Sequence, residues 1–177
     1  MGQFVSDIEG IRQRARTHME NGAVTAGYKA DREQVIKVLN EVLATEIVCV
    51  LRYKRHYFTA KGLDSESIKE EFAQHAMEEQ EHVDWVAERI TQLNGEPDFN
   101  PVSLKSRSHS EYQEGENLRS MITEDLVAER IAIDTYADIA RWLGMDDQVT
   151  RRLIERILEV EVEHADDMAN LLDAMKH

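Results

Sequence analysis

The chain has 177 residues, a formal net charge of −14 and one cysteine, Cys49. That length holds one domain with a full core. The acidic balance excludes general affinity for nucleic acid or an anionic membrane, and a lone cysteine excludes an internal disulfide and any Cys-x-x-Cys metal module. Only 2 prolines and 8 glycines interrupt the sequence, so long helices are expected. No apolar run reaches the roughly 18 residues of a membrane span. The N-terminus lacks the apolar core of a signal peptide, which points to the cytoplasm.

Residues 1–30 read as an extension. Ser6-Asp7-Ile8-Glu9 has the form of a capping box. Phe4, Ile8, Ile11, Ala15 and Met19 then space as one helical face, and Asn21-Gly22 stops it. A short docking helix is expected, with Arg12, Arg14 and Arg16 on its solvated side.

Residues 31–177 read as four long helices. The first starts near Asp31, with Gln34 as its capping partner, and carries Val35, Leu39, Val42, Glu46, Cys49 and Tyr53 on one stripe. It stops around Lys61-Gly62, and a connection of a few residues makes the second helix antiparallel to it. The second presents Ile68, Phe72, His75, Glu79, His82, Val86, Ile90 and Leu93 on one face and ends at Asn94-Gly95. Residues 96 to 114 hold both prolines, a Ser-rich run and little periodicity. Such a linker reaches about 65–70 Å when extended, against about 45 Å for a helix of 30 residues, so it can cross the whole bundle. The third helix begins between Ser110 and Asn117. Its stripe is Leu118, Ile122, Asp125, Glu129, Ile133 or Ala132, Tyr136, Ala140 and Leu143, and Gly144 breaks it. Asp146 or Asp147 caps the fourth, whose stripe is Leu153, Ile157, Glu161, His164, Met168, Leu171 and Met175.

Two matching sets of polar residues interrupt these apolar stripes. Glu46 and Glu129 are 83 residues apart, as are Tyr53 and Tyr136; Glu79 and Glu161 are 82 apart, as are His82 and His164. Two helices thus bring one carboxylate each, and two bring a Glu-x-x-His pair, the donor set of a di-metal carboxylate site in a four-helix bundle. Four carboxylates at one level of a core repel one another unless cations balance them. Glu and His at i and i+3 share a helical face and can reach one ion. The mixed carboxylate–imidazole set suits iron or manganese. Tyr53 is placed to hydrogen-bond a carboxylate of the site or to donate an electron, and Tyr136 repeats that position. His75 and Asp125 lie one turn from Glu79 and Glu129, as outer partners, ion-admitting groups or satisfied buried polar residues. Cys49 and Met168 and Met175 read as core, whereas Glu78, Glu81, Glu155 and Glu163 lie off the stripe and read as solvated.

With Leu43-Ala-Thr-Glu46 through Tyr53, Glu79-Gln-Glu-His82, Leu126-Val-Ala-Glu129 and Glu161-Val-Glu-His164, the chain resembles the bacterioferritin group of the ferritin-like superfamily over about residues 31–175. The resemblance implies an all-α, ferritin-like four-helix bundle with a long crossover between the second and third helices. It implies Glu46 and His82 on one iron, Glu129 and His164 on the other, Glu79 and Glu161 bridging, and Tyr53 beside the centre. The implied activity is ferroxidase, with Fe(II) oxidised by O2 or H2O2 and Fe(III) mineralised in a hollow homo-oligomeric shell. Two departures matter. Gln80 stands where bacterioferritins carry the haem-ligating Met, so haem is not expected. The thirteen residues after His164 leave no room for a fifth helix. With the extension and the crossover, this resembles the Dps-like ferritins, and a shell of twelve chains is expected, with twenty-four as the alternative. A di-iron or di-manganese peroxidase without storage is the alternative function. Nucleic acid is not expected as a partner.

Overall fold

The computed structural model describes residues 6–62 and 65–175. Four long helices make the bundle: α2 (Arg32–Thr59), α3 (Ser65–Gln92), α5 (Leu118–Leu143) and α6 (Gln148–Ala174). Two shorter ones flank or cross it, α1 (Ile8–Arg14) and α4 (Leu104–Arg107). No strand occurs among the described residues. The long helices pack as two hairpins, α2 on α3 and α5 on α6, and the hairpins meet through α3 on α6 and α2 on α5. None of the described helices is long and apolar enough to cross a membrane.

Side-chain caps set the starts of three long helices, because the first backbone N–H groups have no partner within the helix. Asp31 accepts from the Gln34 amide at the head of α2. Asn117 opens α5 with a reciprocal capping box to Ser120, which settles the choice left open between Ser110 and Asn117. Asp147, not Asp146, opens α6, accepting from the Thr150 amide at 2.9 Å. The same aspartate accepts from Tyr28 Oη at 2.8 Å and from Arg89 Nη2 at 3.1 Å, which ties the extension and the end of α3 to the start of α6.

The core is divided by the polar level at its centre. One apolar cluster gathers Leu39, Val42, Val86, Ile90, Ile154 and Ile157. The other gathers Tyr53, Ile68, Phe72, Ile122 and Met168. The crossover is ordered along α2 rather than free. Arg107 Nη1 donates to Asn40 O at 2.8 Å, the His109 amide to Thr45 Oγ1 at 2.9 Å, and Arg55 Nη2 to Glu114 Oε2 at 2.8 Å. These anchors run from the first third of α2 to near its C-terminal end, so the crossover spans the bundle as expected, with α4 as an added helical turn.

Three expectations fail here. Asp7, not Ser6, caps α1, because its carboxylate reaches the Gly10 amide at 2.9 Å. The helix stops at Arg14, and no residue of it is buried. Ile8, Ile11 and Met19 are exposed, so among the described residues the spaced apolar face is not buried; Phe4 lies outside them. Met175 is also exposed while Met168 is fully buried, because Met175 is the cap residue after α6, beyond Leu171 and Leu172, which still pack on the core.

Candidate di-metal centre

Glu46, Glu79, His82, Glu129, Glu161 and His164 all lie in the core, each 2 % exposed or less. One helix alone brings at most two of them. Glu46 comes from the middle of α2, Glu79 and His82 from α3, Glu129 from α5, and Glu161 and His164 from α6. Their donor atoms form two overlapping groups. Glu46, Glu79, His82 and Glu161 make one, and Glu79, Glu129, Glu161 and His164 the other, with the chosen atoms of each group within 4.8 Å of one another. Glu79 and Glu161 belong to both.

Both imidazoles turn Nδ1 toward the carboxylates. His82 Nδ1 stands 3.0 Å from Glu46 Oε2, 3.2 Å from Glu161 Oε1 and 3.4 Å from Glu79 Oε2. His164 Nδ1 stands 3.5 Å from Glu79 Oε1 and 3.7 Å from Glu161 Oε2. Several of these atoms have no hydrogen bond: both oxygens of Glu79, Glu129 Oε2, Glu161 Oε1 and His164 Nδ1. Buried acceptors without donors are costly, and here they converge. That donor set fits two divalent cations, each with carboxylate oxygens and one imidazole nitrogen and two carboxylates in common.

The electrostatics of the metal-free cluster divide it in two. Burial, with the charges of Glu79 and Glu161, holds Glu46 well above the usual carboxylate range. Burial, with Glu161 and Glu79, does the same to Glu129. Burial opposes ionisation of Glu79, but the facing imidazoles of His164 and His82 outweigh it and depress its pKa. Glu161 is depressed by the same two histidines against burial and Glu79. Burial works against a charge on His164, and Glu161 and Glu79 overcome it, pushing the imidazole up to about 11. His82 is raised likewise by Glu161, Glu46 and Glu79. In the metal-free cluster Glu79 and Glu161 are thus shifted toward the ionised form and the two imidazoles toward the charged form, while Glu46 and Glu129 resist ionisation.

The tyrosines cross the bundle. Tyr53 on α2 donates to Glu129 Oε1 on α5 at 2.5 Å, and Tyr136 on α5 donates to Glu46 Oε1 on α2. Asp125 is a satisfied buried residue: Oδ1 accepts from Arg52 Nε at 2.7 Å and Oδ2 stands 2.8 Å from His56 Nδ1. Cys49 is a small buried residue, as expected, with Arg52 Nη2 3.5 Å from its sulfur. His75 stacks on His164, ring centroids 3.9 Å apart.

Three residues buried or bonded around this cluster escape the stripe analysis. Glu78, expected to be solvated, is only partly exposed and its Oε2 lies 2.8 Å from His164 Nε2. A proton on Nε2 shared with Glu78 leaves the Nδ1 lone pair free to face a cation. No sequence signal marks it, since a Glu beside a stripe residue is ordinary. Arg52 and His56 are fully buried although they flank the stripe. Their signal was present: Cys49, Arg52, His56 and Ala60 recur at steps of three and four, a second buried stripe on α2. The crossover covers it, which makes the middle of α2 buried on almost every side.

Comparison with known proteins places this geometry. The family profile described as a ferritin-like domain matches residues 36–177. A nutrient stress-induced DNA-binding protein of Synechococcus sp. is 31 % identical over 148 residues, covering 81 % of this chain and 84 % of that protein. The structure of a dodecameric thioferritin, the bacterioferritin-related protein of Bacteroides fragilis, superposes with a TM-score of 0.80 at 27 % identity, covering 84 % of this chain and 89 % of that one. The bacterioferritin of Desulfovibrio desulfuricans, whose structure describes its di-iron site in different catalytic states, superposes with a TM-score of 0.73 at 26 % identity, covering 82 % and 81 %.

Proposed function

We propose that this chain, which belongs to the ferritin family, is a ferroxidase that stores the iron it oxidises. Fe(II) is the substrate. Glu46 and His82 hold one ion, Glu129 and His164 hold the other, and Glu79 and Glu161 bridge them. The observation that carries this reading is the overlap of two buried donor groups through Glu79 and Glu161. Manganese suits the same donors. Gln80 is exposed and offers no ligand for haem.

Each Fe(II) gives one electron. Two of them, with two protons, reduce one H2O2 to two molecules of water, or one O2 to one H2O2. The chain's own part is positional and electrostatic. The buried carboxylates favour the higher charge of Fe(III), Tyr53 orients Glu129 from outside the cluster, and Glu78 fixes the His164 tautomer. The core walls limit water at the centre.

Residues 31–177 carry the reaction, and residues 1–30 have no assigned part in it. The product is mineralised inside a shell of twelve chains, for which the dodecameric relative is the support; a shell of twenty-four is the alternative. One relative is named for DNA binding, but here two exposed arginines on α1, Arg12 and Arg14, with Arg16 just after it, face a net charge of −14, and nucleic acid is left out of the proposal.

Light scattering before and after aerobic Fe(II) loading tests the whole reading. A mass of twelve or twenty-four chains, with iron co-eluting far beyond two per chain, is expected. Glu79→Ala and Glu161→Ala should lose fast oxidation while keeping the helical content. A dimer or tetramer that never holds more than two metals per chain would replace storage with a di-iron or di-manganese peroxidase.

A further inference from the structure

Beside the six-residue cluster lies a second group of potential ligands that the ferroxidase reading does not use. Glu71 and His75 on α3 and Asp167 on α6 bring donor atoms within 4.8 Å of one another. His75 is the unusual member. Its side chain is 1 % exposed, and its Nδ1 is buried with no hydrogen-bond partner. Its Nε2 faces the two carboxylates, 3.5 Å from Asp167 Oδ2 and 3.8 Å from Glu71 Oε1. Those separations are long for hydrogen bonds. Two ligands about 2.1 Å from one first-row cation stand about 3.0–3.4 Å apart, so a shift of a few tenths of an ångström closes a three-ligand site.

The charge of the surroundings agrees. Glu71 is raised by its partial burial and by Asp167 and Glu78, a sign of negative charge in excess. Among the described ion pairs, no lysine or arginine meets Glu71, Glu78 or Asp167; their partners are His75 and His164. Asp167 is partly exposed, so an ion can reach the group from solvent, whereas the centre itself is closed. The far side of His75 leads inward. Its ring stacks on His164, and His75, Glu78 and His164 also bring donor atoms within 4.8 Å of one another.

We propose that Glu71, His75 and Asp167 form a third divalent-cation site, where an ion waits at the α3–α6 surface before passing by Glu78 to the His164 side of the centre. The site itself stands on its own geometry; the staging role rests on the ferroxidase reading. Glu78 links the two sites, since its carboxylate bonds the back of His164 and lies within the same donor group as His75. An ion drawn toward Glu78 leaves His164 Nδ1 in place to receive it.

Anaerobic Co(II) binding to the iron-free assembled protein tests both halves. Equilibrium dialysis should give three ions per chain in the wild type and two in the Glu71→Gln, Asp167→Asn double variant. The two losses sit on partly exposed side chains, so folding is not at stake. Glu79→Ala with Glu161→Ala should leave one ion per chain, bound with the wild-type third-site affinity. If Glu71→Gln with Asp167→Asn leaves the stoichiometry unchanged, the third site does not exist. If the Glu79 and Glu161 replacements leave it unchanged, the pair site fails instead. Stopped-flow filling of the centre, followed by Co(II) absorption, should slow several-fold in the Glu71→Gln, Asp167→Asn variant with the same end-point. An unchanged filling rate would remove the staging role.

Discussion

Tyr53 on α2 donates its phenolic hydrogen to Glu129 on α5, 2.5 Å away across the core. Tyr136 returns the relationship by donating to Glu46 on α2. The internal repeat is thus expressed as a crossing, with each half's tyrosine serving the other half's carboxylate. Both phenols are fully buried, and each holds a carboxylate that otherwise has few donors around it.

Removing either hydroxyl should weaken the metal-free protein. Tyr53→Phe leaves Glu129 with neither oxygen hydrogen-bonded by a tyrosine, since Oε2 is already without a partner. A buried group left unsatisfied costs about 1–3 kcal/mol. Urea unfolding in the presence of chelator should show that loss for Tyr53→Phe and for Tyr136→Phe. Saturating Zn(II) should recover much of it, because the cation then satisfies the carboxylate. An undiminished midpoint in chelator would mean that the phenols support nothing in the metal-free state.

The Arg52–Asp125 pair gives a second prediction. Both side chains are fully buried and meet at 2.7 Å. Taking one charge away strands the other, at a cost of about 3–5 kcal/mol. Asp125→Ala should therefore destabilise strongly. Replacing both, Arg52→Met with Asp125→Leu, should recover part of the loss, because the apolar pair removes the stranded guanidinium while His56 Nδ1 still loses its carboxylate. Denaturant titration of the two variants beside wild type gives the coupling directly; a double variant as unstable as Asp125→Ala would contradict it.

Protons should leave when metal binds. In the metal-free cluster the imidazoles of His82 and His164 are shifted toward the charged form and the carboxyls of Glu46 and Glu129 toward the protonated form. Divalent cations displace the protons these groups hold, so Zn(II) loading in weakly buffered solution should release protons. Affinity should fall steeply as pH drops. The stability of the metal-free protein runs the other way. His164 sits above its ordinary value of 6.5, so its contribution is complete below about pH 6.5 and is lost as pH rises toward about 11. Thermal unfolding with chelator should therefore weaken from pH 7 to 10, and metal-loaded protein should not follow it. A proton count near zero would mean that the six donors are already deprotonated without metal.

Much of the centre was legible in the chain itself. The 82- and 83-residue repeats place Glu46, Glu79, His82, Glu129, Glu161 and His164 on helix faces that turn out to be buried, because a 3.6-residue period converts spacing directly into a shared face. Helix ends followed from the same local chemistry at Asp31, Gly144 and Asn94-Gly95. Local rules failed where the competing groups were equivalent, as at Ser6 and Asp7, or where burial depends on what lies opposite, as for Ile8, Ile11 and Met175.

The sequence by itself determined the four amphipathic helices, the long crossover and the six donors, since each depends on periodicity along one segment. Only the tertiary structure decided that the tyrosines cross and that Glu78 and Arg52 lie against the cluster, and it shows the sharing of Glu79 and Glu161, implied by the resemblance, as two overlapping groups. Those relationships join atoms on different helices at separations of a few ångströms. They depend on the relative rotation and height of packed helices, which the period of a single helix does not encode.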